Sequence, residues 1–141
     1  MKPKQKTLVV DDQALNRVAT ATVLEDLGFE VHMAASGSEA LAQVQAHKYD
    51  VIVMDYEMPE MNGLDCSRRI REIEMKLELQ EEAEGAGTPA TSKSRVAIIA
   101  FSGSADESIR EECLRSGMDA FVCKSGSSEQ LKAAVFKFAP L

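Results

Sequence analysis

The sequence predicts an α/β domain: a five-stranded parallel sheet with helices on both faces. Three observations carry this. Five short apolar runs alternate with five stretches of helical periodicity or helix-start signals. The apolar runs show no polar alternation, the pattern of strands covered on both faces. The chain has 141 residues, enough for one filled core and too few for two.

The elements follow in order. Thr7-Leu8-Val9-Val10 reads as a buried strand stopped by Asp11 and Asp12. Leu15, Ala19, Val23 and Leu27 recur every fourth residue, an amphipathic helix with that stripe inward, ended by Gly28. Phe29 to Met33 forms the second strand. Ser36 and Glu39 make a capping box, and the helix it opens turns Ala40, Leu41 and Val44 inward. Val51-Ile52-Val53-Met54 is the third strand, ending at Asp55. A loop with Pro59 and Asn62-Gly63 leads to a helix carrying Leu64, Ile70, Ile73 and Leu77, with Met58 and Met61 packing the loop.

From Gln80 to Arg95 the composition turns to Glu, Gly, Ala, Thr, Ser and Pro89. This reads as a helix end passing into a mobile loop over 80–95, inside a single domain spanning 1–141. Val96 to Phe101 is the fourth strand, ending at Ser102. Ala105 to Arg115 is a short helix closed by Gly117. Ala120 to Cys123 is the fifth strand, ending at Lys124. Ser127 with Gln130 opens a last helix that buries Leu131, Ala134, Val135 and Phe138.

Composition narrows the function. Sixteen basic against twenty-three acidic residues give a net charge of −7. Nucleic-acid binding needs clustered Lys and Arg, and the one basic run is Lys2, Lys4 and Lys6, a solvated tail over residues 1–6. No apolar run reaches the roughly 18 residues of a membrane span, and the N-terminus lacks a signal-peptide core. Cys66, Cys113 and Cys123 form no CxxC pair and read as reduced thiols, which points to a cytoplasmic protein. His32 and His47 read as structural or solvent-exposed, and no output domain is expected after Pro140.

The polar residues fall at strand ends. Asp11 and Asp12, Asp55, Ser102 and Lys124 each follow or close an apolar run. Ligands of open parallel sheets bind outside the carboxyl ends of the strands, so these residues are expected to crowd one rim. Two like charges ~4 Å apart cost roughly 4 kcal/mol at an effective dielectric of 20. Three carboxylates therefore call for a cation or a raised pKa. A hard all-oxygen set suits Mg²⁺ with retained waters. A carboxylate nucleophile, a divalent ion and a lysine are the parts needed to move a phosphoryl group onto an aspartate.

With these residues in order, the chain resembles the receiver domain of two-component response regulators over essentially its whole length. The matching segments are Leu8-Val9-Val10-Asp11-Asp12, Val53-Met54-Asp55, Met58-Pro59-Glu60-Met61-Asn62-Gly63, Ile98-Ile99-Ala100-Phe101-Ser102, and Gly117-Met118-Asp119-Ala120-Phe121 ahead of Lys124. The resemblance implies a doubly wound, flavodoxin-like fold with strand order 2-1-3-4-5. It implies that Asp55 accepts a phosphoryl group from a phosphohistidine on a sensor histidine kinase or histidine phosphotransfer protein. It places Mg²⁺ on Asp12, Asp55 and the Glu57 backbone carbonyl, with Asp11 acting mainly through water. Lys124 and Ser102 would hold the phosphoryl group. Ser102 and Phe121 would act as switch residues, reporting through the face of helix four, strand five and helix five. Glu57 and Ser104 would lie near the water that hydrolyses the product. Homodimerisation through the same face stays open, and no membrane contact by the domain is implied.

The chain departs from the family pattern in places. Ser125 stands where relatives usually have Pro after the lysine, often with a cis bond. A cis bond before a non-proline residue costs ~2.5–4 kcal/mol, so Lys124–Ser125 is expected to be trans and the ammonium slightly displaced. Ser102 and Gly103 replace the commoner Thr and Ala, Phe121 the commoner Tyr, and the 80–95 stretch is long. That stretch and the Met-Pro loop resemble receivers of hybrid sensor kinases. Phe121 is also readable as a plain buried aromatic, and Asp12 as a cap on the first helix. The leading reading is a phosphoacceptor signalling domain, not an enzyme, that assists its own phosphorylation and dephosphorylation. Two readings compete with it. One is a phosphorylation-independent pseudo-receiver that binds proteins, supported by Ser125; the other is a phosphate-ester hydrolase with Glu57 as acid–base group.

Overall fold

The computed structural model describes residues 4–83, 95–104, 106–126 and 128–140. Along the chain run β1 (Lys6–Val10), α1 (Ala14–Asp26), β2 (Glu30–Ala34), α2 (Gly37–Ala46), β3 (Val51–Asp55), α3 (Gly63–Ala83), β4 (Ala97–Ser102), α4 (Glu107–Arg115), β5 (Ala120–Cys123) and α5 (Ser128–Phe138). The strands pair in parallel in the order β2-β1-β3-β4-β5, as the resemblance implied.

Successive strand residues point to opposite faces, and the core divides accordingly. Leu8, Val10, Ile52, Met54, Ile98 and Ala100 pack with Ala40 of α2, Leu64 and Ile70 of α3, and Cys113 of α4. Val9, Val51, Val53, Ile99 and Val122 pack with Leu24 of α1 and with Leu131 and Val135 of α5. Three helices thus cover one face and two the other. The apolar central strands are what this double cover requires, whereas the edge strand β2, expected to be an apolar run without alternation, carries Glu30 and His32 and is mostly not buried.

Register sets the rim. Val10 lies opposite Met54, so Asp11 and Asp55 follow at the same level on neighbouring strands. Asp55 pairs with Phe101 and Ser102 with Cys123, which brings Ser102 and Lys124 to the same edge. The chain reverses direction across the sheet between β1 and β3, and the crevice opens there.

Local signals mostly operate as read. Ser36 caps α2, accepting from the Glu39 amide at 3.1 Å, while the Glu39 carboxylate accepts from the Ala35 amide at 3.0 Å. Gly28 and Gly117 take φ of 102° and 101°, the left-handed conformation that ends α1 and α4. His32 is structural: Nδ1 lies 2.7 Å from the Tyr49 hydroxyl and Nε2 3.0 Å from Glu30.

Four expectations are corrected. The Leu15, Ala19, Val23, Leu27 stripe of α1 is inward only in its second half, where Val23 is half-buried and Leu27 packs against the core. Leu15 is 87% exposed and Ala19 is exposed, whereas Thr20, Ala21 and Leu24 are buried. This helix is apolar on more than one side, and Leu24, packed with Val9 and Phe29, fixes its rotation. Lys6, assigned to the tail, begins β1, where its amide donates to the Asp50 carboxylate at 2.9 Å. Gln80 to Ala83, expected in the loop, belong to α3; the rest of that expected loop, 84–94, lies outside the described residues. Leu77, read with Leu64, Ile70 and Ile73 as part of this helix's apolar set, is exposed. α3 has 21 residues, about 31 Å of helix, and the five-residue β3 beneath it spans only about 17 Å. Ser127 and Ala105, expected at helix starts, lie outside the described residues; α4 is capped instead by Asp106.

Candidate functional site

The acidic pocket is assembled from the ends of β1 and β3. Asp11, Asp12 and Asp55 each offer a carboxylate oxygen, and these oxygens lie within 4.8 Å of one another. Asp11 and Asp55 are buried and Asp12 is exposed. Gln13 occupies the N-cap of α1, with no side-chain cap, so Asp12 does not serve as the cap. The Asp11 carboxylate accepts from the Gln13 amide at 2.9 Å, which turns it back toward the pocket.

Lys124 enters from the end of β5. Its Nζ lies 2.9 Å from Asp55 Oδ1 and 3.2 Å from Asp11 Oδ2. No cis peptide bond occurs among the described residues, so Lys124–Ser125 is trans. The serine does not draw the ammonium away from the carboxylates. The Lys124 amide donates to the Ser102 carbonyl at 2.6 Å, and Nζ sits 5.7 Å from the centre of the Phe101 ring. Ser102 is fully buried, its hydroxyl accepting from the Ser104 amide at 3.1 Å.

Burial pushes the Asp55 carboxyl up to about 6, and the Asp11 charge adds to the rise, while Lys124 opposes it. Burial works against the charged form of Lys124, but its bonds and charge attraction to Asp55, then Asp11, outweigh this and hold its pKa above the ordinary value. Three carboxylates and one ammonium in a half-dry crevice leave net negative charge, which a divalent cation would neutralise. The donor set is all oxygen, with no thiol or imidazole, and suits a hard ion such as Mg²⁺.

A sequence profile described as the response regulator receiver domain matches residues 7–79. The chain belongs to that family. Among relatives, probable histidine kinase 4 of Oryza sativa subsp. japonica is 37% identical over 135 residues, covering 93% of this chain and 13% of that protein. Histidine kinase 2 of Arabidopsis thaliana is 34% identical over 140 residues, covering 96% of this chain and 12% of that protein. The chain therefore spans about an eighth of these relatives' length. Among solved structures, the Vibrio cholerae chemotaxis protein CheY4 superposes with a TM-score of 0.77 at 26% identity, covering 96% of this chain and 99% of that one. The receiver domain of sensor histidine kinase PA1611 from Pseudomonas aeruginosa PAO1 has a TM-score of 0.74 at 27% identity, covering 96% of this chain and 98% of that one. That structure has a magnesium ion coordinated in its active-site cleft.

The remaining expected residues of the receiver fall as follows. Glu57 is exposed on the loop after β3, and its amide lies 3.3 Å from Asp55 Oδ1. Phe121 is half-buried against the cluster that includes Cys113 and Met118, on the same side as Tyr56 and Ile109. Cys66 and Cys113 are buried and Cys123 is half-buried; all three are free thiols. Among the described residues no helix is long and apolar enough to cross a membrane.

Sequence reasoning missed Arg17. Its Nη1 donates to the Asp11 carbonyl at 2.7 Å and so pins the turn that carries two of the three carboxylates. An arginine near a helix start carries no periodic or motif signal, and only the register of α1 against β1 reveals it.

Proposed function

We propose that this receiver accepts a phosphoryl group on Asp55 from a phosphohistidine of a histidine kinase or histidine phosphotransfer protein. The observation that carries this reading is the Asp55 carboxylate, clustered with Asp11 and Asp12 and paired to Lys124 at 2.9 Å. An Asp55 oxygen attacks phosphorus and forms the P–O bond. The P–N bond to the donor imidazole breaks, and the imidazole leaves as its neutral form after taking a proton. Asp11, Asp12, Asp55 and the Glu57 carbonyl would hold Mg²⁺, which neutralises the charge that gathers on the phosphoryl oxygens. Lys124 pairs with a phosphoryl oxygen as its bond to Asp55 is given up. Ser102 donates its hydroxyl to another, leaving its present place beside Ser104, and Phe121 turns into the space released. The face of α4, β5 and α5 then differs between the two states, because the phosphoryl group makes contacts in only one of them. The likeness to plant histidine kinases supports a kinase or phosphotransfer partner; a cytoplasmic setting belongs to the same reading.

The deciding experiment is intact-mass measurement after incubation with Mg²⁺ and acetyl phosphate. One base-labile phosphoryl adduct is expected, absent in Asp55→Asn and absent with chelator. No adduct from a range of small donors overturns the reading. Sustained turnover of a phosphate ester replaces it with a hydrolase.

A further inference from the structure

Gly63 begins α3 directly against the backbone of Asp55. A methyl group built at residue 63 would lie within bonding-clash range of the Asp55 carbonyl oxygen, 3.1 Å from the Asp55 carbonyl carbon and 3.0 Å from Met54 Cγ. The first two are main-chain atoms, which no rotamer change can move aside. Gly63 is not among the residues with positive φ. Its value here is close approach, not conformational freedom. The Gly63 amide also donates to the Tyr56 carbonyl at 2.9 Å, closing the loop 56–63 into a strap. Asn62 anchors the other side of the strap, its side chain accepting from the Asp65 amide at 2.9 Å.

We propose that Gly63 is a positioning residue. By lacking a side chain it lets the first turn of α3 seat on the Asp55 peptide, and that seat sets the separation of the Asp55 carboxylate from Asp11, Asp12 and Lys124. The inference deepens the phosphoacceptor reading and rests on it for its kinetic arm only. A catalytic group displaced by about 1 Å loses on the order of a hundredfold in rate. A methyl at 63 must displace either the Asp55 peptide or the helix that braces it.

The test compares Gly63→Ala with Gly37→Ala. Gly37 is the first residue of α2, and the three atoms nearest a methyl there all belong to the Met61 side chain, with Sδ closest at 2.8 Å. Gly37→Ala therefore presses on a side chain of the same strap, which can turn aside, and not on the Asp55 main chain. Two quantities are read: the rate of phosphorylation by acetyl phosphate at saturating Mg²⁺, and the Asp55-to-Lys124 distance in a crystal structure of each variant. Gly63→Ala should lower the rate about tenfold or more and move the Asp55 peptide, while Gly37→Ala keeps the parental rate within about twofold. An unmoved Asp55 peptide, or equal rate losses in the two variants, overturns the proposal. If the parent protein takes up no phosphoryl group, the functional reading fails and the crystallographic arm still decides the role of Gly63. Should Gly63→Ala not fold, Asn62→Ala loosens the same turn without adding a methyl. A several-fold lower rate then supports the proposal, and a parental rate overturns it.

Discussion

Lys124 bridges two carboxylates, and its contribution to the site can be separated from theirs. The cation site is built from carboxylate oxygens, so Lys124→Ala should retain Mg²⁺ binding, measured by titration calorimetry. It should still fail to complete the switch, because nothing then holds the phosphoryl oxygen that the ammonium would pair with. A full phosphorylation-dependent change in the ¹⁹F signal of fluorinated Phe121 in this variant would show that the role given to Lys124 is wrong. The residues of this cluster were legible because each stands at the end of an apolar run, where a strand must stop and the chain meets solvent. Arg17, Phe101 and Gly63 were not read as site residues. Their contributions are a bond to a main-chain carbonyl, a ring beneath an ammonium and a missing side chain; Phe101 and Gly63 stand in matching segments, but the contact each makes shows only in the folded chain.

At the scale of elements, α2 and α5 were read in the correct rotation because each has a single apolar face. α1 was not, since a four-residue repeat is satisfied on two of its sides. Contact with β1 and β2 chose between them. Leu24 is fully buried while Leu15 is 87% exposed, so the two leucines should respond very differently to truncation. Leu24→Ala is expected to destabilise by about 3 kcal/mol, the usual range for a core leucine. Leu15→Ala should stay within about 0.5 kcal/mol. Urea denaturation of the two variants measures both, and the reverse ranking would restore the stripe suggested by periodicity. The tie between α3 and the start of β5 was likewise invisible in sequence. Arg71 donates to the carbonyls of Val96 and Gly117 and pairs with Glu74 and Asp119, reaching 48 positions along the chain to the last. Such long-range pairing leaves no periodic trace, and it explains why the long α3 stays registered against β4.

For the whole molecule, the fold was legible because four of the five strands are apolar runs that end in a polar residue. That pattern forces a doubly covered parallel sheet with its chemistry along one edge. The same arrangement places a repulsive charge cluster inside the native state, and stability must therefore depend on pH and on metal together. Asp55 has a folded pKa of about 6 against an ordinary value of 3.8. Between those values the native state binds more protons than the unfolded chain. The stabilisation from this group is complete below about pH 4 and is lost as pH rises through about 6. Mg²⁺ acts in the opposite sense, because it binds the ionised cluster and competes with the proton. Bound only by the native state, it would add about 2.7 kcal/mol at a hundredfold excess over its dissociation constant. Calorimetric melting at pH 5 and pH 7.5, with and without Mg²⁺, separates these effects. The metal should raise Tm clearly at pH 7.5 and little at pH 5. Asp55→Asn, read against the parent without metal, should gain stability as pH rises and should lose most of the Mg²⁺ response. A metal-induced rise in Tm equal at both pH values, or unchanged in Asp55→Asn, would place the cation outside this crevice.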